Sequence, residues 1–380
     1  MAHGTSAKPV LKALGLMSGT SMDGIDLALI ETDGDGHAVT SRNTGMRMAL
    51  PYEAAFSCEI EAALEDAKSI VRRDDRPGRL TALEKKITQR HADAVNQFIK
   101  RFNVTPDILG FHGQTVLHRP EEGLTVQLGD GQQLADLTGI RTVYDMRAAD
   151  IIAGGQGAPL VPIYHRVLAR AIRERPVAFV NVGGIANITY VGRDGALLAF
   201  DTGPGNALID QWVSSQAGIP YDQGGKIAGE GVVVREVVDR YMAADFFSQT
   251  GPKSLDRNDF EPLAAGSLEL SDGARTLTRV TAEAIMAATE HVPEAPRHWV
   301  LCGGGRLNDT LMRDLKDLAQ ASDATVSVSE ELGFDGDMME AEAFAYLAVR
   351  SLHGLPLTEP GTTGCSEPVT GGVVAEPHQP

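Results

Sequence analysis

Apolar residues recur along this chain in two rhythms, and the switches between them mark out its elements. Over 11–50 the alternation is that of strands, predicted at 11–17, 25–31 and within 37–50. Asp33-Gly34-Asp35-Gly36 supplies the turn between the second and third. Helical periodicity takes over at about 53–72 and 79–102, broken by Arg73-Asp-Asp-Arg-Pro-Gly78. Short strands follow at 108–111 and 124–128, then a short helix at 132–138 and a strand at 142–145.

The second half repeats the plan. A strand at 177–182 ends in Gly183-Gly184, and a second returns at 187–191. Arg193-Asp194-Gly195 turns into a third at 196–200, and a helix follows at 207–217. A last helix is predicted at about 338–353. Two α/β halves, each opening with a glycine-rich hairpin, predict two domains around a central cleft. The boundary is placed near 138: a first domain, 1–137, completed by 338–380, and a second, 138–337.

The hairpins carry the chemistry. Residues 14–26 read Leu-Gly-Leu-Met-Ser-Gly-Thr-Ser-Met-Asp-Gly-Ile-Asp, a strand, a polar tip and a second strand. Glycines let backbone approach an anion, and successive N–H groups in a turn form a nest for phosphate oxygens. Gly19, Thr20, Ser21, Met22, Asp23, Gly24, Ile25 and Asp26 therefore read as a nucleotide-phosphate site, or else as a plain tight hairpin. Two carboxylates beside a phosphate call for a divalent cation, and Mg²⁺ is assigned to Asp23 and Asp26. In the second half Gly183 and Gly184 either touch the β- or γ-phosphate or simply turn the chain.

Asp201-Thr-Gly-Pro-Gly-Asn206 places Asp201 where an apolar strand gives way to a helix, the usual seat of a catalytic side chain in α/β proteins. Asn206 is expected to cap that helix; a turn-capping role for Asp201 is the alternative. Polar groups in Phe111-His-Gly-Gln-Thr-Val-Leu-His-Arg-Pro120 suit sugar hydroxyls, with His112, Gln114 and Thr115 as candidates. Arg147 either clamps an anionic group of a substrate or forms an i,i+3 pair with Asp150. Gly303, Gly304 and Gly305 close a short buried strand ahead of a helix at 307–318. Glu340 reads, unaided, as an ordinary first-turn helix acid.

Composition narrows the partners. At 380 residues with 43% apolar and 22% charged content, the chain is a globular protein of two-domain size. A formal net charge of −17 argues against nucleic acid or an anionic membrane as partner. Three scattered cysteines, no apolar run in residues 1–10 and no span of membrane length give a cytoplasmic reading. No G-x-x-x-x-G-K-[ST] occurs, because Gly224-Gly225-Lys226 lacks the leading glycine and the trailing hydroxyl.

In their wording and order these motifs resemble the anhydro-N-acetylmuramic acid kinase family, from Leu14 to about Pro368. The resemblance covers the GTSMDGID hairpin, the DTGPGN motif, Gly154-Gly-Gln-Gly-Ala-Pro159 behind Arg147, and the ending Thr362-Thr-Gly-Cys365-Ser-Glu-Pro. Met146 departs from it, standing where an aromatic residue is usual, as does Cys365, standing where a small residue is common. The resemblance implies the two-domain actin-like ATPase fold, a duplicated ribonuclease H-like α/β architecture shared with acetate and sugar kinases. It also implies an ATP-dependent kinase that opens 1,6-anhydro-N-acetylmuramic acid with water and phosphorylates O6, in cell-wall recycling. On that reading Asp201 is the catalytic base, Gly303 to Gly305 border the adenosine, Arg147 meets the lactyl carboxylate, and Glu340 lies close to the sugar. A homodimer is implied likewise. The alternatives are a levoglucosan-type anhydrosugar kinase and a non-catalytic sugar-sensing ATPase of the same superfamily.

Overall fold

The computed structural model describes residues 8–35, 42–249, 255 and 259–378. The chain divides into two compact units, one of Met1–Val167 with Met338–Pro380 and one of Leu168–Asp337. Strands of the first half are β1 (Leu11–Ser18), β2 (Gly24–Thr32), β3 (Arg42–Pro51), β4 (Ile108–Arg119), β5 (Leu124–Leu128) and β6 (Thr142–Tyr144). The second unit holds β7 (Val177–Val182), β8 (Ile185–Val191), β9 (Leu197–Pro204), β10 (His298–Cys302) and β11 (Thr325–Val328), and β12 (Val373–Ala375) returns to the first.

The sheets share one topology. In the first unit the order is β12-β6-β4-β1-β2-β3 with β5 beside β4; in the second it is β11-β10-β7-β8-β9. Each begins with three antiparallel strands, β1-β2-β3 or β7-β8-β9. Each continues with parallel pairings, β1-β4-β6 or β7-β10-β11. This is the duplicated ribonuclease H-like plan of actin-type ATPases.

In the first unit, alternation along β1 and β2 sends Leu14, Leu16, Ile25, Leu27 and Leu29 to one face, against Val95 and Phe98 of the Leu80–Phe102 helix. The opposite face meets the Met339–Leu352 helix so closely at Gly15 and Gly110 that no side chain fits at either position. A Cβ at Gly15 would lie 1.7 Å from the Ala341 carbonyl oxygen, and one at Gly110, its register partner, 2.1 Å from that of Phe344. Gly15→Ala is therefore expected to destabilise the protein by about 3 kcal/mol, read as a lower urea midpoint. In the second unit Val180, Val182, Trp299 and Leu301 pack with Ile285 and Leu311 from the Leu270–Ala287 and Asp309–Gln320 helices. Among the described residues no helix is long and apolar enough to cross a membrane.

Several elements differ from the expectations. The unit boundary falls at Val167, not 137, because β6 pairs parallel with β4 and the segments after it stay with that sheet. β4 does not stop at 111: it runs on to Arg119, first beside β1 and then beside β5. The His112–Thr115 groups therefore sit within a strand, kinked at Gly113, whose φ is +74°. β9 likewise continues through Asp201 to Pro204, because its ladder with β8 persists. After β10 a 3₁₀ turn over Gly304–Leu307 comes first, and the helix begins at Asp309 under an Asn308 cap. The first part of the strand predicted within 37–50 lies outside the described residues, as does Gly36 of the preceding turn; β3 starts at Arg42.

Candidate active site

The first unit presents the polar hairpin. Between β1 and β2 the chain reverses with Met22 in the left-handed region (φ 54°), and the Met22 N–H donates to the Gly19 carbonyl at 3.1 Å. Thr20, Ser21 and Asp23 are exposed at the tip, where the Ser21 hydroxyl donates to Asp23 Oδ1 at 2.7 Å. Beneath it, the Ser57 hydroxyl donates to the Met22 carbonyl (2.8 Å) and the Tyr52 N–H to that of Asp23 (2.8 Å). Ile25 is buried in the core and Met22 packs against the cluster that holds Val116, so both side chains anchor the hairpin from below. Asp26 alternates with Ile25 and Leu27, so it shares the face on which Ala28 meets Ala341.

Gln114 is 0% exposed; its amide braces the hairpin by donating to the Gly19 carbonyl at 2.9 Å, and its own Oε1 has no partner. A fully buried side chain cannot meet a sugar hydroxyl in this state, so the role expected for it gives way to support of the hairpin. Thr115 is half-buried and accepts from Gln127 at 3.3 Å. It lines a recess of about 180 Å³ with Thr20, Met22 and His118.

His112 and Arg147 form a buried pair in this unit. His112 Nδ1 faces two carbonyls, Gly113 at 2.7 Å and Ser18 at 3.2 Å, so the ring proton belongs on Nδ1. The Nε2 lone pair then accepts from Arg147 Nη2 (3.0 Å) and Nε (3.3 Å). Burial, with the adjacent guanidinium, pushes the His112 pKa down to about 3, so the imidazole is neutral at physiological pH. Arg147 Nη1 donates to the Gly157 carbonyl at 2.8 Å. Burial lowers the Arg147 pKa to about 10, opposed by the fields of Glu340 and Asp150. Burial raises the Glu340 carboxyl although its side chain stays accessible, and Arg147 opposes that shift.

Asp150 is not an ion-pair partner of Arg147: its oxygens are taken by Gly157, Thr358 and Thr363. Among the described residues no carboxylate lies within ion-pair distance of the guanidinium. The guanidinium is thus held by two neutral acceptors and keeps N–H groups beyond those bonds. Beside His112 opens a pocket of about 260 Å³, walled by Arg73, Gln127, Tyr144 and Asp145.

In the second unit Asp201 stands on β9 opposite Asn187, half-buried. Its Oδ2 accepts the Leu255 N–H at 2.7 Å, and burial nonetheless pushes its pKa up to about 6. A carboxylate poised near neutrality suits a general base. Gly183 and Gly184 turn the chain beside it, their carbonyls accepting N–H groups of Asn206 (2.7 Å) and Gly205 (2.9 Å). Asn206 makes no cap bond with its side chain, contrary to expectation; it donates to the Val182 carbonyl at 3.2 Å. Gly303 has φ +72°, and a Cβ there would lie 2.2 Å from Asn181 Oδ1. Gly304 is open, and Gly305 presses on Val182. Asn206 thus sits between the two glycine turns, a tie the sequence does not reveal.

The sequence profile of the anhydro-N-acetylmuramic acid kinase family matches residues 11–377. The chain belongs to that family. Anhydro-N-acetylmuramic acid kinase of Rhizobium etli is 54% identical over 97% of this chain and 99% of that protein. The Agrobacterium fabrum protein of the same name is 53% identical over 96% and 98%. That of Brucella canis is 52% identical over 96% and 99%.

Within this member of the anhydro-N-acetylmuramic acid kinase family, the expected site residues fall into three groups. Gly19, Gln114, His112 and Arg147 are linked through Ser18 and Gly113. Glu340 reaches Arg147 through its field alone. Asp201, Gly183, Gly184 and the Gly303–Gly305 turn belong to the second unit. Asp150 has a larger place than its i,i+3 spacing from Arg147 suggested.

Proposed function

We propose that this chain is an ATP-dependent kinase that opens 1,6-anhydro-N-acetylmuramic acid and yields N-acetylmuramic acid 6-phosphate and ADP. Its membership of the family over nearly the whole chain supports this reading. The observation that carries the substrate choice is the Arg147 guanidinium, bound among the described residues to His112 and the Gly157 carbonyl, both uncharged. A lactyl carboxylate supplies the charge that such a cation lacks, and a plain anhydrohexose does not.

Asp201 takes a proton from water as the water oxygen bonds to C1. The C1–O6 bond breaks, O6 keeps the electron pair and bonds to the γ-phosphorus, and ADP leaves; the proton passes to solvent. The Gly19–Asp26 hairpin holds the phosphates through main-chain N–H groups and the Thr20 and Ser21 hydroxyls. Gly303–Gly305 lie along the adenosine. Asp23, exposed at the tip, and Asp26 would hold Mg²⁺ through hard carboxylate oxygens. That ion, when bound, offsets phosphate charge. Glu340, accessible at the start of the Met339–Leu352 helix, accepts a sugar hydroxyl. Three free cysteines, with Cys58 exposed, fit a reducing cytoplasm, and a homodimer completes the proposal.

An ADP-release assay with 1,6-anhydro-N-acetylmuramic acid, levoglucosan and N-acetylmuramic acid tests the reading. Fast turnover of the first with one ADP per sugar is expected. Equal kcat/KM for levoglucosan would assign the chain to another anhydrosugar.

A further inference from the structure

We propose that Asp150 is a positioning residue for recognition of a carboxylate-bearing sugar: it locks the 153–158 loop so that the Gly157 carbonyl aims the Arg147 guanidinium. The inference rests on the function proposed above and adds a residue and a segment to it. Asp150 is 1% exposed on the short Ala148–Ile152 helix, one turn after Arg147. Its Oδ2 accepts the Gly157 N–H at 2.7 Å. Its Oδ1 accepts the hydroxyls of Thr358 and of Thr363, the latter at 2.6 Å. The Gln156 N–H donates to the Thr363 carbonyl at 2.8 Å and the Gly155 N–H to that of Asp150 at 2.8 Å. The loop is therefore held at three successive residues.

Two glycines make this fit possible. A Cβ at Gly155 would lie 2.2 Å from Asp150 Oδ2. Gly157 has φ +69°, and a Cβ there would lie 2.7 Å from Ile151 Cδ1. With its N–H fixed by Asp150, the Gly157 residue directs its carbonyl to Arg147 Nη1 at 2.8 Å, while His112 holds the other side of the guanidinium. A planar guanidinium gripped from two sides has few rotamers left, and so presents its remaining N–H groups in one direction. Burying a carboxylate with three hydrogen bonds and, among the described residues, no counter-ion within ion-pair distance is costly. Its service to Arg147 gives that cost a purpose. The segment carrying Thr358 and Thr363 thus belongs to the sugar site, although it touches no sugar.

The test compares binding of 1,6-anhydro-N-acetylmuramic acid with that of 1,6-anhydro-N-acetylglucosamine, the same ring without the lactyl group, by calorimetry alongside kcat and KM. Asp150→Asn and Thr363→Val are expected to weaken the carboxylate sugar at least tenfold in Kd and KM. The kcat at saturation should stay within threefold and affinity for the lactyl-free sugar should hold. In an Arg147→Met background, Asp150→Asn is expected to add less than a twofold further loss. Equal weakening of both sugars, unchanged selectivity, or full additivity with Arg147→Met would overturn the proposal. If Asp150→Asn does not fold, Thr363→Val, which removes one hydrogen bond, decides by the same measures. A wild-type protein that fails to prefer the lactyl sugar would instead refute the proposed function.

Discussion

Asp201→Asn is expected to lower kcat by about 10³- to 10⁴-fold while leaving ATP affinity unchanged. Asn keeps the shape of the side chain and can still accept the Leu255 N–H, so the loss reads proton transfer rather than folding. The pH profile carries a second signature. Burial raises the Asp201 pKa to about 6, and a general base works only when deprotonated. Activity should therefore fall about tenfold per unit below that value and level off above it, whereas an unperturbed aspartate would place the limb at about 3.9. Near-normal turnover by Asp201→Asn, or a flat profile down to the ordinary aspartate range, would remove Asp201 from the mechanism.

The second large effect is expected at Arg147. Arg147→Met preserves length and packing but deletes the charge. Kcat/KM for the lactyl-bearing sugar should drop by about 30- to 100-fold, the range of a charged hydrogen bond of roughly 2–3 kcal/mol. Arg147→Lys returns a charge without the paired N–H geometry and should recover only part. The substitution also leaves His112 Nε2 without its donor, so a fall in Tm is expected beside the kinetic loss. Removal of the neighbouring guanidinium also lets the His112 pKa rise from about 3, with burial still holding it low. Unchanged sugar selectivity in Arg147→Met would show that the cation serves the fold alone.

How far the sequence carried the reading depended on what kind of pattern each element left. The two hairpins were legible because apolar alternation stops abruptly at Gly-Ser-Thr-Asp clusters, and the 207–217 helix was read to its ends. The run after 111 reads as a loop because His112, Gly113 and Gln114 carry loop-like polarity; the structure keeps them in β4, with His112 Nδ1 facing the Ser18 carbonyl and the Gln114 amide donating to that of Gly19. The sequence shows no clear periodicity across 218–298, yet the Leu270–Ala287 helix lies there at the core of the second unit. Its buried face is largely Ala and Thr, including Ala274, Thr276, Thr278, Thr281 and Ala282, so hydrophobic contrast is weak. The sequence leaves open the choice between an ion pair and an anion site at Arg147, because two of the three residues that occupy Asp150 come from 208 and 213 positions away. Local spacing carries no trace of such partners.

The return of the chain at Met338 bears on how the protein is made. The unit that starts first is finished last: its sheet faces the Met339–Leu352 helix across Gly15 and Gly110, and that helix leaves the ribosome only after all of Leu168–Asp337 has been synthesised. The usual vectorial order, amino-terminal body before the next, is inverted, since the interrupting segment is contiguous and can close its own core while the earlier sheet waits with one side bare. Until Met339–Leu352 is made, the face of the first sheet at Gly15 and Gly110 lacks the helix that covers it in the finished protein.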